Sequence, residues 1–398
     1  MRLIESEAKT LLREGGIPVP RGILISSLQE VEEAYRTLGP SVVLKAQVPV
    51  GGRRKAGAVA FPATLEELRD LSLSLLGSSV KGFPVEKLLI EEKAWVEKEL
   101  FLAITYDMAE KGPLALLSLE GGVDIDVLAQ QAPEKVVKYP FDPSTGLLEF
   151  QAREAISRLR LGGSDLLQVA GILHSAAKFF FQYDATLVEI NPLGRTREGR
   201  YIALDARIEL DGDSLYRHPE LEERYGIPRR QVSGRPSTPF ELKAAEIDAM
   251  DHRGVAGRMI EFDGDIGLLI GGGGASLTTF DAIRRHGGRP ANYCEIGGNP
   301  SVRKLAELTK LILSKPGVEG IAVIMNIVSN TRVDLVARGV IKGCIEAGFE
   351  PGEKINLFRV PGSWEEEGFK ILRKYQVPYC DRTVSIDEAA RRAVLRQG

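Results

Sequence analysis

The stretch Ile266-Gly-Leu-Leu-Ile-Gly-Gly-Gly-Gly-Ala-Ser276 decides the class of fold. A short apolar run of strand length feeds four consecutive glycines, and helical periodicity resumes over about Leu277–His286. Outward from it the alternation is strict. Strand Ala291–Cys294 is followed by helix Val302–Leu313, strand Gly320–Met325, a helix over about Val333–Ala347, strand Ile355–Arg359 and helix Glu366–Tyr375. Such alternation predicts a doubly wound parallel α/β sheet, whose ligands bind beyond the carboxyl ends of the strands. Two of its helix starts suit anions: the glycine tract, and Asn326-Ile-Val-Ser-Asn-Thr331, where Ser329, Asn330 and Thr331 are expected to cap the next helix. The tract is not a dinucleotide fingerprint, because its glycines are consecutive and no ribose-binding acid follows.

The N-terminal half mixes short strands with helices. Helical periodicity over Leu3–Arg13 stops at Gly15-Gly16, and Ile23–Ser26 is extended. A helix around Gln29–Thr37 precedes the buried strand Ser41–Lys45; a helix over Thr64–Leu76 precedes strand Lys87–Glu91. Glu99–Tyr106 and Leu114–Ser118 read as antiparallel neighbours, residues 148–182 as mainly helical, and Ala185–Ile190 with Tyr201–Asp205 as a hairpin pair. The pattern breaks into Gly, Pro, Arg and Ser around Tyr225–Thr238. The expected organisation is therefore a first domain over 1–224, a linker over 225–245 and a second domain over 246–398.

Three pieces of the first domain fit a nucleoside triphosphate. Lys45 ends an apolar strand, and Gly51-Gly-Arg-Arg-Lys-Ala-Gly57 joins close-approach glycines to three cations. Either alone is equally a solvated turn. The third piece is Val188-Glu-Ile-Asn-Pro-Leu193: if its strand pairs with Tyr201–Asp205, Glu189 and Asn191 face Asp205, and hard oxygens converging beside phosphates suit Mg²⁺.

Composition removes other classes. Lys+Arg 52 against Asp+Glu 55 leaves a net charge of −3 over 398 residues, which gives no field for holding a nucleic acid or a membrane surface. Hydrophobic residues at 43% and charged residues at 27% exclude dominant disorder. Cys294, Cys344 and Cys380 make neither a disulfide framework nor a metal spacing and read as small buried hydrophobes. The charged amphipathic start and the lack of long apolar runs predict a soluble cytoplasmic protein. His174, His218, His252 and His286 pair with no nearby nucleophile, so no phosphocarrier histidine is expected here; Trp95 and Trp364 read as packing residues.

The whole chain resembles the β subunit of succinyl-CoA synthetase, within the acid–CoA ligases that include ATP-citrate lyase and citryl-CoA synthetase. The likeness is carried in order by Glu7-Ala-Lys9, Gly16-Ile-Pro-Val-Pro20, Val43-Leu-Lys45, the 51–57 loop, Glu120-Gly-Gly-Val-Asp-Ile125, Val188–Leu193, Leu204-Asp205, His286–Asn292 and Ile296-Gly-Gly298. It implies an ATP-grasp domain followed by a flavodoxin-like CoA-ligase domain. It also implies ATP or GTP contacts at Lys45, Gly52, Arg53, Arg54, Glu91 and Glu99, and Mg²⁺ on Asn191 and Asp205. An α-subunit partner would carry the phosphohistidine and the CoA site, with the helix near Asn330 helping to hold that histidine. The small carboxylic acid would meet Gly271, Gly272, Ser329, Asn330, Thr331 and Arg359. Departures are Arg54 for a glycine, Gly271 for the asparagine that helps bind succinate, and Ser329-Asn330 for Gly-Gly. The tracts Gly272–Ser276, Gly234-Arg-Pro236 and Ala291-Asn-Tyr293 look more like ATP-citrate lyase and citryl-CoA synthetase. Glycine at 271 is expected to open room for a larger acid such as citrate, with Arg359 as its carboxylate partner. A non-catalytic nucleotide-binding regulator is the reading from another class.

Overall fold

In the computed structural model, which describes residues 1–229, 235–254 and 259–396, the chain divides into two units, Met1–Pro236 and Ser237–Gly398. The first opens with α1 (Glu5–Glu14), whose acidic first turn and Arg13 in the last turn oppose the helix dipole. A four-stranded antiparallel sheet follows, ordered β1 (Gly22–Ile25), β4 (Leu88–Glu92), β2 (Val42–Ala46), β3 (Val59–Ala60). Between them run α2 (Val31–Leu38) and α3 (Leu65–Leu75), which close a core of Ile25, Val31, Ala34, Leu44, Leu68 and Ile90.

The larger sheet of this unit contains β5 (Val96–Asp107), β6 (Gly112–Ser118), β7 (Val137–Pro140), β8 (Ala185–Thr196), β9 (Tyr201–Ala203) and β10 (Ala206–Leu210). The expected β5–β6 pairing is present, with Ala103 opposite Leu116. The expected hairpin is not as read: Tyr201–Ala203 pair with Leu193–Arg195, while Ala185–Ile190 pair with β10. The reason is length. Strand β8 runs for 12 residues, so its two halves take different partners, and Leu204-Asp205 becomes the corner between them. Helices α4 (Glu149–Ser157) and α5 (Gly163–Gln182) cover this sheet with Ala155, Ile156, Leu173, Ala177 and Phe180.

The expected linker span contains the boundary between the units. Its Gly234 lies outside the described residues, and from Pro239 the chain is already α6 (Pro239–Asp248). Thr238 caps that helix by accepting from the Glu241 N–H, and Glu241 accepts from the Thr238 N–H. In the second unit β11 (Ile266–Gly271), β12 (Gly320–Met325) and β13 (Ile355–Arg359) are parallel, with β12 central. Parallel bridges Ile266–Pro290 and Ile270–Glu295 add segment 290–295 beside β11, and Phe358–Tyr379 adds a fifth segment beside β13. Numbered along the chain, the order is 2-1-3-4-5, and the strand order reverses between β11 and β12.

Side chains alternate across that sheet. Leu268, Ile270, Ala322 and Ile324 bury against Ala282 and Ile283 of α7 (Gly274–Arg285) and Ala389 and Ala393 of α11 (Ile386–Leu395). Leu269, Ile321, Val323 and Phe358 bury on the opposite side, with α8 (Val302–Ser314), α9 (Val333–Glu346) and α10 (Glu365–Lys374). Helices on both faces are what make the sheet doubly wound. No helix of the described residues is long and apolar enough to cross a membrane.

Cys294, Cys344 and Cys380 are buried thiols rather than disulfides. Burial pushes the Cys294 and Cys344 thiols up to about 12. A thiolate-directed reagent at pH 8 should therefore leave both unlabelled in the native protein and label them after denaturation; mass spectrometry of tryptic peptides checks this.

Candidate functional site

Strand β2 ends at Lys45-Ala46, and the loop after it delivers Gly51–Lys55 to the wall of a cleft of about 590 Å³ within the first unit. Arg2, Glu99, Gly122–Asp126, Glu189, Asn191, Asp205 and Arg207 line the rest. Gly52 is left-handed, at φ +68°, and exposed, so its backbone is open to a close neighbour. Arg54 is exposed, its guanidinium 5.7 Å from the Phe61 ring centre.

Lys45 and Arg53 are buried and held by carboxylates. Lys45 Nζ lies 2.7 Å from Glu5 Oε1 and from Glu91 Oε2, and donates to the Leu204 carbonyl at 2.7 Å. Arg53 Nη2 lies 2.6 Å from Glu5 Oε2 and 2.7 Å from Asp205 Oδ1. Lys9 stands behind them, 2.7 Å from Glu5 and Glu91 and 2.8 Å from the Leu204 carbonyl. Three cations thus face Glu5, Glu91 and Asp205, a formally neutral set, as a water-poor site requires. Burial opposes ionisation of Glu5, yet Lys45, Lys9 and Arg53 hold its carboxyl well below the usual range. Burial likewise opposes charge on Lys45, but Glu5, Glu91 and Asp205 raise it above the usual lysine range. Desolvation, then the Glu5 charge, pushes the Asp205 carboxyl up against the pull of Arg53.

The oxygen set assembles around the 204–205 corner. The Asn191 N–H donates to the Asp205 carbonyl at 3.2 Å, which sets the two residues side by side. Asn191 Oδ1 accepts from the Gly122 N–H at 2.7 Å, and its amide donates to the Val123 carbonyl at 2.9 Å and to Glu189 Oε1 at 3.2 Å. Burial raises the Glu189 carboxyl. Among the described residues no group of three or more His, Cys, Asp or Glu side chains forms a metal cage. One exposed-edge carboxylate with an amide oxygen beside a phosphate-sized cleft is the donor set Mg²⁺ uses, since it keeps waters and phosphates as its other ligands. The residues fit that ion.

The residues expected to contact nucleotide divide in two. Lys45, Arg53 and Glu91 join in one network with Asp205, whereas Gly52, Arg54 and Glu99 stand on the cleft wall. The Glu91 side chain is 3% exposed and engaged by the two lysines, and neither it nor Lys45 lines the cleft. Glu5 and Lys9 carried no assigned role in the sequence. The signal was there: an acid and a base four apart at buried positions of a short helix imply partners elsewhere.

In the second unit the expected acid-binding residues gather at the carboxyl ends of the parallel strands. Gly271 ends β11, its carbonyl accepting from the Asn326 N–H at 3.2 Å, so the glycine tract and the 326–331 loop are neighbours. Three details differ from the sequence reading. Ser329, Asn330 and Thr331 do not cap α9, whose N-cap is Arg332; Thr331 is buried and accepts from the Asn299 N–H at 3.2 Å. Gly271 opens no room, because a Cβ there would lie 2.2 Å from the Ile296 carbonyl and 3.0 Å from Met325. Arg359 is 5% exposed and donates to the backbone carbonyls of Met325 and Val384, tying strand ends together. The two tryptophans are not packing residues either. Trp95 and Trp364 are 60% and 56% exposed, beneath Lys93 at 4.4 Å and Arg332 at 4.1 Å.

Residues 2–195 match the family model of the ATP-grasp domain, and residues 235–377 that of the ATP citrate lyase citrate-binding region. A succinate–CoA ligase [ADP-forming] β subunit from Desulfurococcus amylolyticus is 39% identical over 396 residues, covering 99% of this chain and 98% of the relative. Its counterpart from Ignicoccus hospitalis is 38% identical over 395 residues, with the same coverage. The chain belongs to the succinate–CoA ligase β-subunit family. ATP citrate lyase from Methanothrix soehngenii, solved with citrate and coenzyme A, shares the fold at TM-score 0.77 and 22% identity, over 99% of each chain. The first unit holds the ATP-grasp match and the cleft, and the second holds the loop pair at its own switch point. His174 Nδ1 is 2.8 Å from the Leu147 carbonyl, His218 lies between Asp184 and Glu220, and His286 faces Asp387.

Proposed function

We propose that this chain is the nucleotide-binding β subunit of a cytoplasmic acid–CoA ligase that converts ATP, succinate and CoA to ADP, phosphate and succinyl-CoA, with an α subunit as partner. Residues 1–224 would serve the nucleotide and 246–398 the acid. The observation that carries the reading is the buried Lys45–Arg53–Glu5–Glu91–Asp205 network beside the cleft, since it presets two cations where a triphosphate would lie. Lys45 and Arg53 would bind phosphate oxygens, and the Gly52 backbone, free of a side chain, would allow their close approach. Asn191 and Asp205 would hold Mg²⁺, with Glu189 orienting the Asn191 amide. Bound there, the ion neutralises charge on the transferring phosphate. The phosphoryl group would pass to a histidine of the α subunit and then to the carboxylate, and CoA would displace phosphate from the acyl phosphate. This chain would supply the 326–331 loop leading into α9, where Ser329 and Asn330 are exposed, to face that histidine near the electropositive helix end.

Citrate is the second candidate acid, on the match of residues 235–377 to a citrate-binding family. The full-length likeness to succinate–CoA ligase β subunits at 38–39% identity favours succinate. With the partner subunit present, CoA-dependent ADP release is expected with succinate and not with citrate. Turnover of citrate alone would overturn succinate as substrate, and turnover of no acid despite tight nucleotide binding would support the regulator. GTP tested beside ATP assigns the base.

A further inference from the structure

The buried network contains one arginine nitrogen shared by two carboxylates of very different accessibility. Arg53 Nη2 touches Glu5, whose side chain is 0% exposed, and Asp205, whose side chain is 42% exposed toward the cleft. Both residues line the cleft, but a ligand entering it meets the half-exposed Asp205 carboxylate, while the Glu5 carboxylate is wholly covered. Glu5 Oε2 lies 2.6 Å from Arg53 Nη2, an attraction between full charges that tolerates rotation of the guanidinium better than a directional bond would. Lys45 is fixed differently, by Glu5, Glu91 and the Leu204 carbonyl together. Lys9 in turn holds Glu5, Glu91 and that same carbonyl, which immediately precedes Asp205.

We propose that Glu5, backed by Lys9, is a positioning residue of the nucleotide site, retaining Arg53 while it exchanges Asp205 for a phosphate. This rests on reading the cleft as a nucleotide site. Before ligand arrives, Arg53 pairs with both carboxylates, and Lys45 and Lys9 share the balancing of Glu5. When a divalent cation takes the Asp205 carboxylate, Arg53 keeps Glu5 as counter-ion, and its outer N–H groups turn to the phosphate. Without Glu5, Asp205 is the only carboxylate left to Arg53, and the cation has to break that pair outright.

The test uses the full chain, with Mn²⁺ and ADP as probes, followed by titration calorimetry and Mn²⁺ paramagnetic resonance. Glu5→Gln is expected to weaken Mn²⁺–ADP binding by at least about tenfold, the scale for loss of a group that orients a metal ligand. Glu5→Asp, which keeps the charge, should recover part of it. Because Glu5→Gln leaves a buried cation unbalanced, the charge-neutral double variant Glu5→Gln/Lys9→Met carries the test should the single variant fail to fold; it should melt near wild type and bind as weakly. A folded variant lacking Glu5 that binds Mn²⁺–ADP as tightly as wild type would overturn the proposal. So would a Glu5→Asp variant no better than Glu5→Gln. A wild-type chain that fails to bind Mn²⁺–ADP would instead overturn the nucleotide reading, and this inference with it.

Discussion

Replacing Asp205 by asparagine is expected to lower nucleotide-dependent acyl-CoA formation by the assembled enzyme roughly 10²–10⁴-fold, the range that several kcal/mol of lost metal-centred stabilisation gives. The amide has the size of the carboxylate, so the change is one of charge. Arg53 retains Glu5 2.6 Å away, and the Asn191 N–H retains the backbone carbonyl of residue 205. The corner should therefore keep its shape. Because the Asp205 side chain is 42% exposed, water can screen the cation left unbalanced, so the change should cost the fold less than removal of the covered Glu5 charge. The measurement is ADP release on adding succinate and CoA, beside a thermal melt of the variant. Normal turnover in a folded variant would remove Asp205 from the site.

Gly271→Asn, which puts back the asparagine of the succinyl-CoA synthetase pattern, is expected to disrupt the second unit rather than to improve succinate turnover. A Cβ at residue 271 would sit 2.2 Å from the Ile296 carbonyl oxygen and 3.0 Å from Met325. That carbonyl belongs to segment 290–295 and its continuation, which pairs with β11 through the Ile270–Glu295 bridge. Backbone cannot move aside as a side-chain tip can, so the strain falls on the sheet. A cost of about 3 kcal/mol or more follows from overpacking a core position. For a unit of this size that lowers the melting temperature by roughly 6–12 °C. Differential scanning calorimetry checks it; an unchanged melt with faster succinate turnover would show that the 290–296 segment yields.

Some of this was legible in the chain as written. The strict strand–helix alternation after Ile266 fixed a doubly wound sheet, because apolar runs of strand length between amphipathic helices have no other way to bury both faces. The oxygen-bearing residues Asn191 and Asp205 were legible as a pair from their places at strand ends. Their true relation was not, since the strand from Ala185 to Thr196 divides between two partners and places Asp205 in a corner rather than opposite Glu189. Capping at Ser329–Thr331 also failed, because Asn299, thirty-two residues earlier, offers Thr331 a backbone donor that local sequence cannot reveal.

The sequence by itself determined the order of elements, the loop and strand-end motifs of the cleft and the family, since propensity, periodicity and motif spacing are local properties of the chain. Only the tertiary structure decided which charges meet. Glu5, Lys9, Lys45, Arg53, Glu91 and Asp205 span 200 positions yet form one buried cluster, with contacts of 2.6–2.7 Å. Tertiary structure also decided that Gly271 closes space rather than opening it. Both are matters of distance between segments remote in sequence. In a water-poor interior the energy of a charge or a methyl group depends on what stands within a few ångströms of it.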